Sequence, residues 1–249
     1  MMNTVQLGFL LTILAGLSTM LGLFPIFFKI SNINKFIAGS LAFASGVMFC
    51  VSVTDLIPES ISLIQKYVSD FETLLLVFDF IMIGVFLSSL IRKKVNKECN
   101  QSSLFKVGII SMIAIVLHNV PEGMATFIST TKNVSLGISL TIAIALHNIP
   151  EGISISVPIY YSTKKKSRAF FYTLVSALSE PLGAIITYFF LMPIINPFIL
   201  GLLFASIAGI MLSISFLELL PSSFQYSYLK TSKFCFGGGI LFMLLKFFF

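Results

Sequence analysis

The sequence predicts an all-α membrane protein, and three observations carry that prediction. Hydrophobic residues make up 57% of the 249 positions, charged residues only 10%, and the charged residues gather in short gaps between long apolar runs. Soluble domains carry roughly a quarter charged residues. A chain with so few charges, and a mean hydropathy of +1.00, cannot cover itself with a water-facing surface and must be solvated by lipid.

A membrane helix needs about 20 mostly apolar residues. Reading between charge and turn clusters gives eight spans, at 5–28, 36–64, 71–91, 107–131, 135–161, 169–192, 197–226 and 233–249. The last is short and holds Gly237, Gly238 and Gly239. Alternate connections collect the basic residues: Lys29 and Lys35; Arg92, Lys93, Lys94, Lys97 and Lys106; Lys164, Lys165, Lys166 and Arg168; Lys230 and Lys233. The opposite side keeps Lys66, Lys132 and Lys246. The positive-inside rule then puts both termini outside the cytoplasm, in a multi-pass protein of the plasma (inner) membrane.

The same segregation removes other readings of the +6 net charge. The basic residues mark topology, so no nucleic-acid partner is expected, and the lipid bilayer is the surrounding partner. Cys50, Cys99 and Cys235 have no C-x-x-C spacing and support neither a disulfide framework nor a thiolate metal site. No basic stretch precedes the first apolar run, which argues against a cleaved signal peptide. The 27 phenylalanines read as lipid-facing bulk.

Two hexapeptides nearly coincide: His118-Asn119-Val120-Pro121-Glu122-Gly123 and His147-Asn148-Ile149-Pro150-Glu151-Gly152. They fall mid-span in the fourth and fifth helices, which run in opposite directions, so the same chemistry faces itself near the midplane. A second pair, residues 46–60 and 209–223, aligns without gaps and sets Asp55 opposite Glu218. One domain over 1–249 is expected, with inverted repeats at about 1–92 and 169–249 around central helices 107–161. Inverted repeats about a midplane site mark alternating-access transporters.

The only two histidines lie in the hexapeptides, and Glu122, Glu151 and Glu180 are spaced 29 residues apart. A carboxylate at the bilayer centre costs at least about 2.5–3.5 kcal/mol, and no mid-span lysine or arginine neutralises these three. A divalent cation or protonation is the remaining way to hold them. His118 and Glu122 are one turn apart on one helix face, with Asn119 beside them; His147, Asn148 and Glu151 repeat the pattern. Pro121, Pro150 and Pro181 leave the carbonyls of Leu117, Leu146 and Ala177 without their helical partners, as further oxygen donors. Imidazole with carboxylate and amide oxygen suits Zn²⁺, Fe²⁺, Mn²⁺ or Co²⁺, argues against Cu(I), and disfavours Mg²⁺ and Ca²⁺.

Other polar residues keep two readings. Asp55, Glu59 and Glu218, near the mouths, are solvated helix ends or relay ligands. Asp79 in the third span is a protonated packing residue or a functional one. Met48 is a core methionine or a soft sulfur ligand, and Cys50 reads as packing.

These residues closely resemble the ZIP (Zrt/Irt-like) metal-ion transporters, in particular their bacterial zinc-uptake branch. The likeness rests on the paired His-Asn-x-Pro-Glu-Gly motifs and on Ser179-Glu180-Pro181, and it covers essentially the whole chain. It implies eight helices in a 3+2+3 arrangement whose outer triplets are related by inversion, import toward the cytoplasm and a homodimer. By position, it implies one metal site at His118, Glu122, His147 and Glu151. A second is implied at Asn119, Asn148 and Glu180, bridged by Glu122 and Glu151, with Met48 near a weak ligand. The histidine-rich loop of many relatives is missing from residues 92–106.

The expected function is transport of divalent transition metals, Zn²⁺ foremost and Cd²⁺ among the others, with the metal as cargo and no catalytic cofactor. The ion would be gathered by Asp55 and Glu59 and leave past Glu218. The rivals are a metal-selective channel and a membrane-embedded di-metal enzyme. The enzyme reading is the weaker: the order here is His-x-x-x-Glu, where bundle di-iron sites use Glu-x-x-His, and no H-E-x-x-H occurs.

Overall fold

A computed structural model describes residues 3–191 and 196–244. The described residues form helices and no strand, an all-α membrane protein as expected. Among the described residues, seven helices are long and apolar enough to cross a membrane: α1 (Thr4–Phe27), α2 (Ile33–Ile64), α3 (Asp70–Glu98), α4 (Ser103–Lys132), α5 (Val134–Thr163), α6 (Lys166–Phe190) and α7 (Pro197–Phe224). An eighth, α8 (Leu229–Leu244), is described over 16 residues. Residues 245–249 of the expected last span, with Lys246, lie outside the described residues, as does Met192 at the end of the sixth.

Side-chain caps set several helix starts. Asn3 and Gln6 form a capping box on α1, and Ser69 and Glu72 form another on α3. Asn32 caps α2, while Asn196 caps α7 ahead of Pro197, whose missing N–H costs nothing in the first turn. Lys164 takes a left-handed φ of 57° in the tight connection from α5 to α6. Helix α3 runs through Arg92, Lys93, Lys94 and Lys97, which the sequence assigned to a loop. Cations are favoured at a helix C-terminus, and their long stems reach water from a membrane helix.

The chain divides into two compact units built from non-adjacent segments. The first holds α1, α4 from Ser111 onward, α5 and α6. Within it α1 packs on α5 and α6, and a Cβ on Gly123 of α4 would collide with the Glu180 carbonyl of α6. Helix α1 changes to 3₁₀ geometry over Thr19–Phe27, around Pro25. Phe127 is fully buried in this unit beside Gly8, so the phenylalanines are not all lipid-facing.

The second unit holds α2, α3, the first turns of α4, α7 and α8. Helix α2 packs on α8, and α3 packs on α7. Ser45 and Ser215 bond reciprocally, each hydroxyl donating to the other's carbonyl at 3.0 and 2.9 Å. Both α2 and α7 widen into one π turn, at Ser52–Leu56 and Ser215–Leu219. Each ends two residues before a proline, Pro58 or Pro221, and the N–H just before that proline, of Ile57 or Leu220, reaches five residues back, to Ser52 or Ser215. The extra residue relieves the clash between the proline ring and the carbonyl four positions earlier. Asp79 is exposed on α3, so it is not a packing residue within the chain: it lies on the face with Phe78 and Met82.

Candidate metal centre

The first unit gathers His118, Asn119, Glu122, His147, Asn148, Glu151 and Glu180, each at most 5% exposed. The i, i+4 spacing along α4 and α5 puts each histidine one turn above its glutamate, and the two helices present these pairs to each other. His147 Nε2 lies 2.9 Å from Glu122 Oε1. His118 Nε2 lies 3.0 Å from the same oxygen and 3.6 Å from Glu151 Oε1, close in distance but off the line of a hydrogen bond. The imidazole centroids are 6.1 Å apart. One donor atom each from His118, His147 and Glu151 can be enclosed within 4.8 Å, the dimension of a single ion's coordination shell.

The amides hold the flank. Asn148 Nδ2 donates to Glu180 Oε2 and to the Ala15 carbonyl, both at 3.0 Å. Asn119 Nδ2 donates to the Ser176 carbonyl at 3.2 Å. With their N–H groups anchored on neighbouring helices, both amides leave Oδ1 without a hydrogen bond. So are Glu122 Oε2, both oxygens of Glu151, Glu180 Oε1 and both nitrogens of His118. Buried polar atoms are almost always partnered, and three buried carboxylates with no lysine or arginine paired to them among the described residues form a strongly anionic cage. Its donors are imidazole nitrogen, carboxylate and amide oxygen, a set that fits a borderline divalent cation.

The remaining candidates belong to the second unit. Met48 is buried in α2, Asp55 is half-buried and Glu59 exposed. Glu218 pairs with Arg92, Oε1 to Nε at 3.5 Å, at a cavity of about 260 Å³ that also meets Asn96, Lys106 and Gln225. Asp55 and Glu218 occupy the same place in the two π turns. Of the carbonyls freed by proline, that of Ala177 lies against Gly16 of α1. Sequence reading missed the carbonyl anchors at Ala15 and Ser176, and it missed Thr19, buried in α1 with its hydroxyl unbonded. A Leu-Ser-x-x-Leu-Gly pattern, at Leu17–Gly22 and again at Leu178–Gly183, was the available signal.

This buried cage on paired membrane helices has the donors to hold a divalent metal ion, and the protein's relatives make it a transporter rather than an enzyme. A family model described as ZIP Zinc transporter matches residues 89–245, and the chain belongs to that family. It is similar to the zinc transporter ZupT of Streptococcus mutans, 41% identical over 232 residues and 88% of each chain. The zinc transporter ZupT of Oceanobacillus iheyensis is 39% identical over 243 residues, 90% of this chain and 91% of its own. That of Chlorobium luteolum is 42% identical over 242 residues, again 90% and 91%.

Proposed function

We propose that this chain carries Zn²⁺ across the plasma membrane into the cytoplasm by alternating access, through a site made by His118, Glu122, His147, Glu151, Asn119, Asn148 and Glu180. The observation that carries the reading is the buried cage itself, with both histidines directed at Glu122 and six carboxylate or amide oxygens left to coordinate. Relatives at 41% and 39% identity are named zinc transporters, which supports zinc as the cargo. Fe²⁺, Mn²⁺, Co²⁺ and Cd²⁺ share the ligand preferences of the set and are expected competitors.

The division into two units supports a mechanism in which the unit holding the cage carries the ion as a body. In that mechanism the inverted repeats supply matching mouths, Asp55 and Glu59 gathering the ion and Glu218 passing it on. The matched π turns, each with one acidic residue, support the repeat. Both termini lie outside the cytoplasm, Met48 is a peripheral sulfur donor, and two copies of the chain associate; the mass of the solubilised particle tests the last point.

The test is reconstitution in liposomes enclosing a zinc-sensitive dye. Saturable Zn²⁺ entry, lost in Glu122→Ala and Glu151→Ala and indifferent to Mg²⁺, is the expected result. Folded protein that binds zinc yet gives no influx above empty liposomes overturns it.

A further inference from the structure

Helices α1 and α6 repeat one another 161 residues apart, and their contacts with the cage repeat as well. Gly16-Leu17-Ser18-Thr19-Met20-Leu21-Gly22 aligns without a gap on Ala177-Leu178-Ser179-Glu180-Pro181-Leu182-Gly183. Ser18 donates to the Ala15 carbonyl, and Ser179 to the Ser176 carbonyl. Thr12 and Thr173 each donate to the carbonyl four residues back. The central helices answer in kind. Asn148 Nδ2 bonds the Ala15 carbonyl while Asn119 Nδ2 bonds the Ser176 carbonyl. A Cβ on Gly152 would collide with the Thr19 carbonyl, as one on Gly123 would with that of Glu180. Every correspondence keeps the same offsets, 29 between α4 and α5 and 161 between α1 and α6. Gly16 packs on Ala177, its own counterpart, as a residue beside a two-fold axis must.

The unit therefore has an internal two-fold that exchanges α1 with α6 and α4 with α5, and Glu122 with Glu151. Among its cage-side pairs the charge is broken at one place, Thr19 against Glu180, and a hydroxyl at another, Ala15 against Ser176. Where α6 has Glu180, accepting from Asn148 Nδ2 at 3.0 Å, α1 has Thr19. The two-fold makes Thr19 the counterpart beside Asn119 of Glu180 beside Asn148, and the oxygens on that side are neutral: Thr19 Oγ1, Ser176 Oγ and Asn119 Oδ1 are buried and none is hydrogen-bonded. The cage thus has a half-site ending in a carboxylate and a half-site ending in hydroxyls, on either side of Glu122 and Glu151.

We propose that the Thr19 hydroxyl, with Asn119, forms a neutral oxygen half-site for the transported divalent cation, and that Thr19 determines occupancy by holding the cage at three carboxylates. A fourth carboxylate at this position would balance the charge of two divalent ions. With three, a second ion is left one negative charge short of compensation and is readily shed. The inference deepens the transport reading and rests on it.

The experiment measures Zn²⁺ binding by equilibrium dialysis and influx into liposomes for wild type, Thr19→Val, Thr19→Ser, Glu180→Thr and the exchange Thr19→Glu with Glu180→Thr. Thr19→Val, alike in shape but lacking the hydroxyl, should weaken binding by about fivefold, with Thr19→Ser close to wild type. Glu180→Thr should weaken it by about tenfold or more. The exchange should recover most of that loss, because the two-fold returns the carboxylate to an equivalent place beside Asn119. An exchange variant that melts like wild type but binds no better than Glu180→Thr overturns the proposal. If the exchange variant does not fold, the valine and serine variants decide, and valine binding within about twofold of wild type overturns it. The transport reading fails separately, by absent influx in wild type or by influx that survives Glu122→Ala.

Discussion

His147 Nε2 and Glu122 Oε1 stand 2.9 Å apart, and that same carboxylate oxygen lies 3.0 Å from His118 Nε2. One oxygen on α4 is thus approached by imidazoles from both central helices. Glu122→Gln keeps the shape and replaces the charge with an amide that can present a donor to the histidines. Removing one member of a buried charged set costs about 3–5 kcal/mol, equivalent to a loss of about two to nearly four orders of magnitude in binding. Zinc affinity by dialysis should therefore fall at least about 100-fold, with helicity by circular dichroism unchanged. Wild-type affinity in this variant would remove Glu122 from the coordination.

Acid should release the ion. Coordination requires neutral imidazole and ionised carboxylate, so each proton taken up by His118 or His147 competes directly with metal. Free imidazole titrates near pH 6.5 and free glutamate near 4.3. The sign is fixed: binding is strongest above the imidazole range and declines as pH falls through it. Zinc Kd measured at pH 7.5 and 5.5 should differ by about tenfold or more. A Kd constant over that interval would show that neither histidine binds the ion.

The cage was legible because helical spacing needs only local sequence: His, Asn and Glu at positions i, i+1 and i+4 share a face wherever a helix forms. Its anchors were not. Ala15 and Ser176 act through backbone carbonyls, which carry no side-chain signature, and Thr19 is an ordinary residue until the α1–α6 repeat is aligned on the fold. Membrane spans follow from hydropathy, yet their grouping into α1 with α4–α6, and α2, α3 with α7 and α8, depends on contacts distant in sequence. The π turns before Pro58 and Pro221 were hidden for a related reason. A proline announces a lost hydrogen bond but does not say whether the helix kinks or widens.

Asn148 joins three elements, donating from α5 to the Ala15 carbonyl of α1 and to Glu180 of α6. Asn148→Ala strips the buried Glu180 carboxylate of its donor and the Ala15 carbonyl of one donor, with Ser18 still bonded to that carbonyl. A buried group left unsatisfied costs about 1–3 kcal/mol, more when charged, so the variant should melt several degrees below wild type in detergent. Saturating Zn²⁺ should recover part of the loss by binding the folded form. An unchanged melting temperature would mean that the amide is not what secures Glu180.

Glu218 and Arg92 pair at 3.5 Å on the wall of a polar cavity, with side chains 13% and 34% exposed. Partly exposed pairs contribute about 0–1 kcal/mol, so breaking this one should hardly alter the melting temperature. The arrangement has kinetic consequences instead. A carboxylate that passes the ion onward must let go of its arginine while it does so, and the competing guanidinium keeps it from trapping the ion. Glu218→Gln should lower maximal zinc influx about tenfold while leaving the equilibrium Kd of the central cage in place. Arg92→Gln should leave Kd in place too, and retain zinc at the mouth so that influx slows at high internal zinc. Initial rates in liposomes preloaded with increasing zinc separate the two variants. A Glu218→Gln variant with full maximal influx would make the residue a helix-end charge outside the path of the ion.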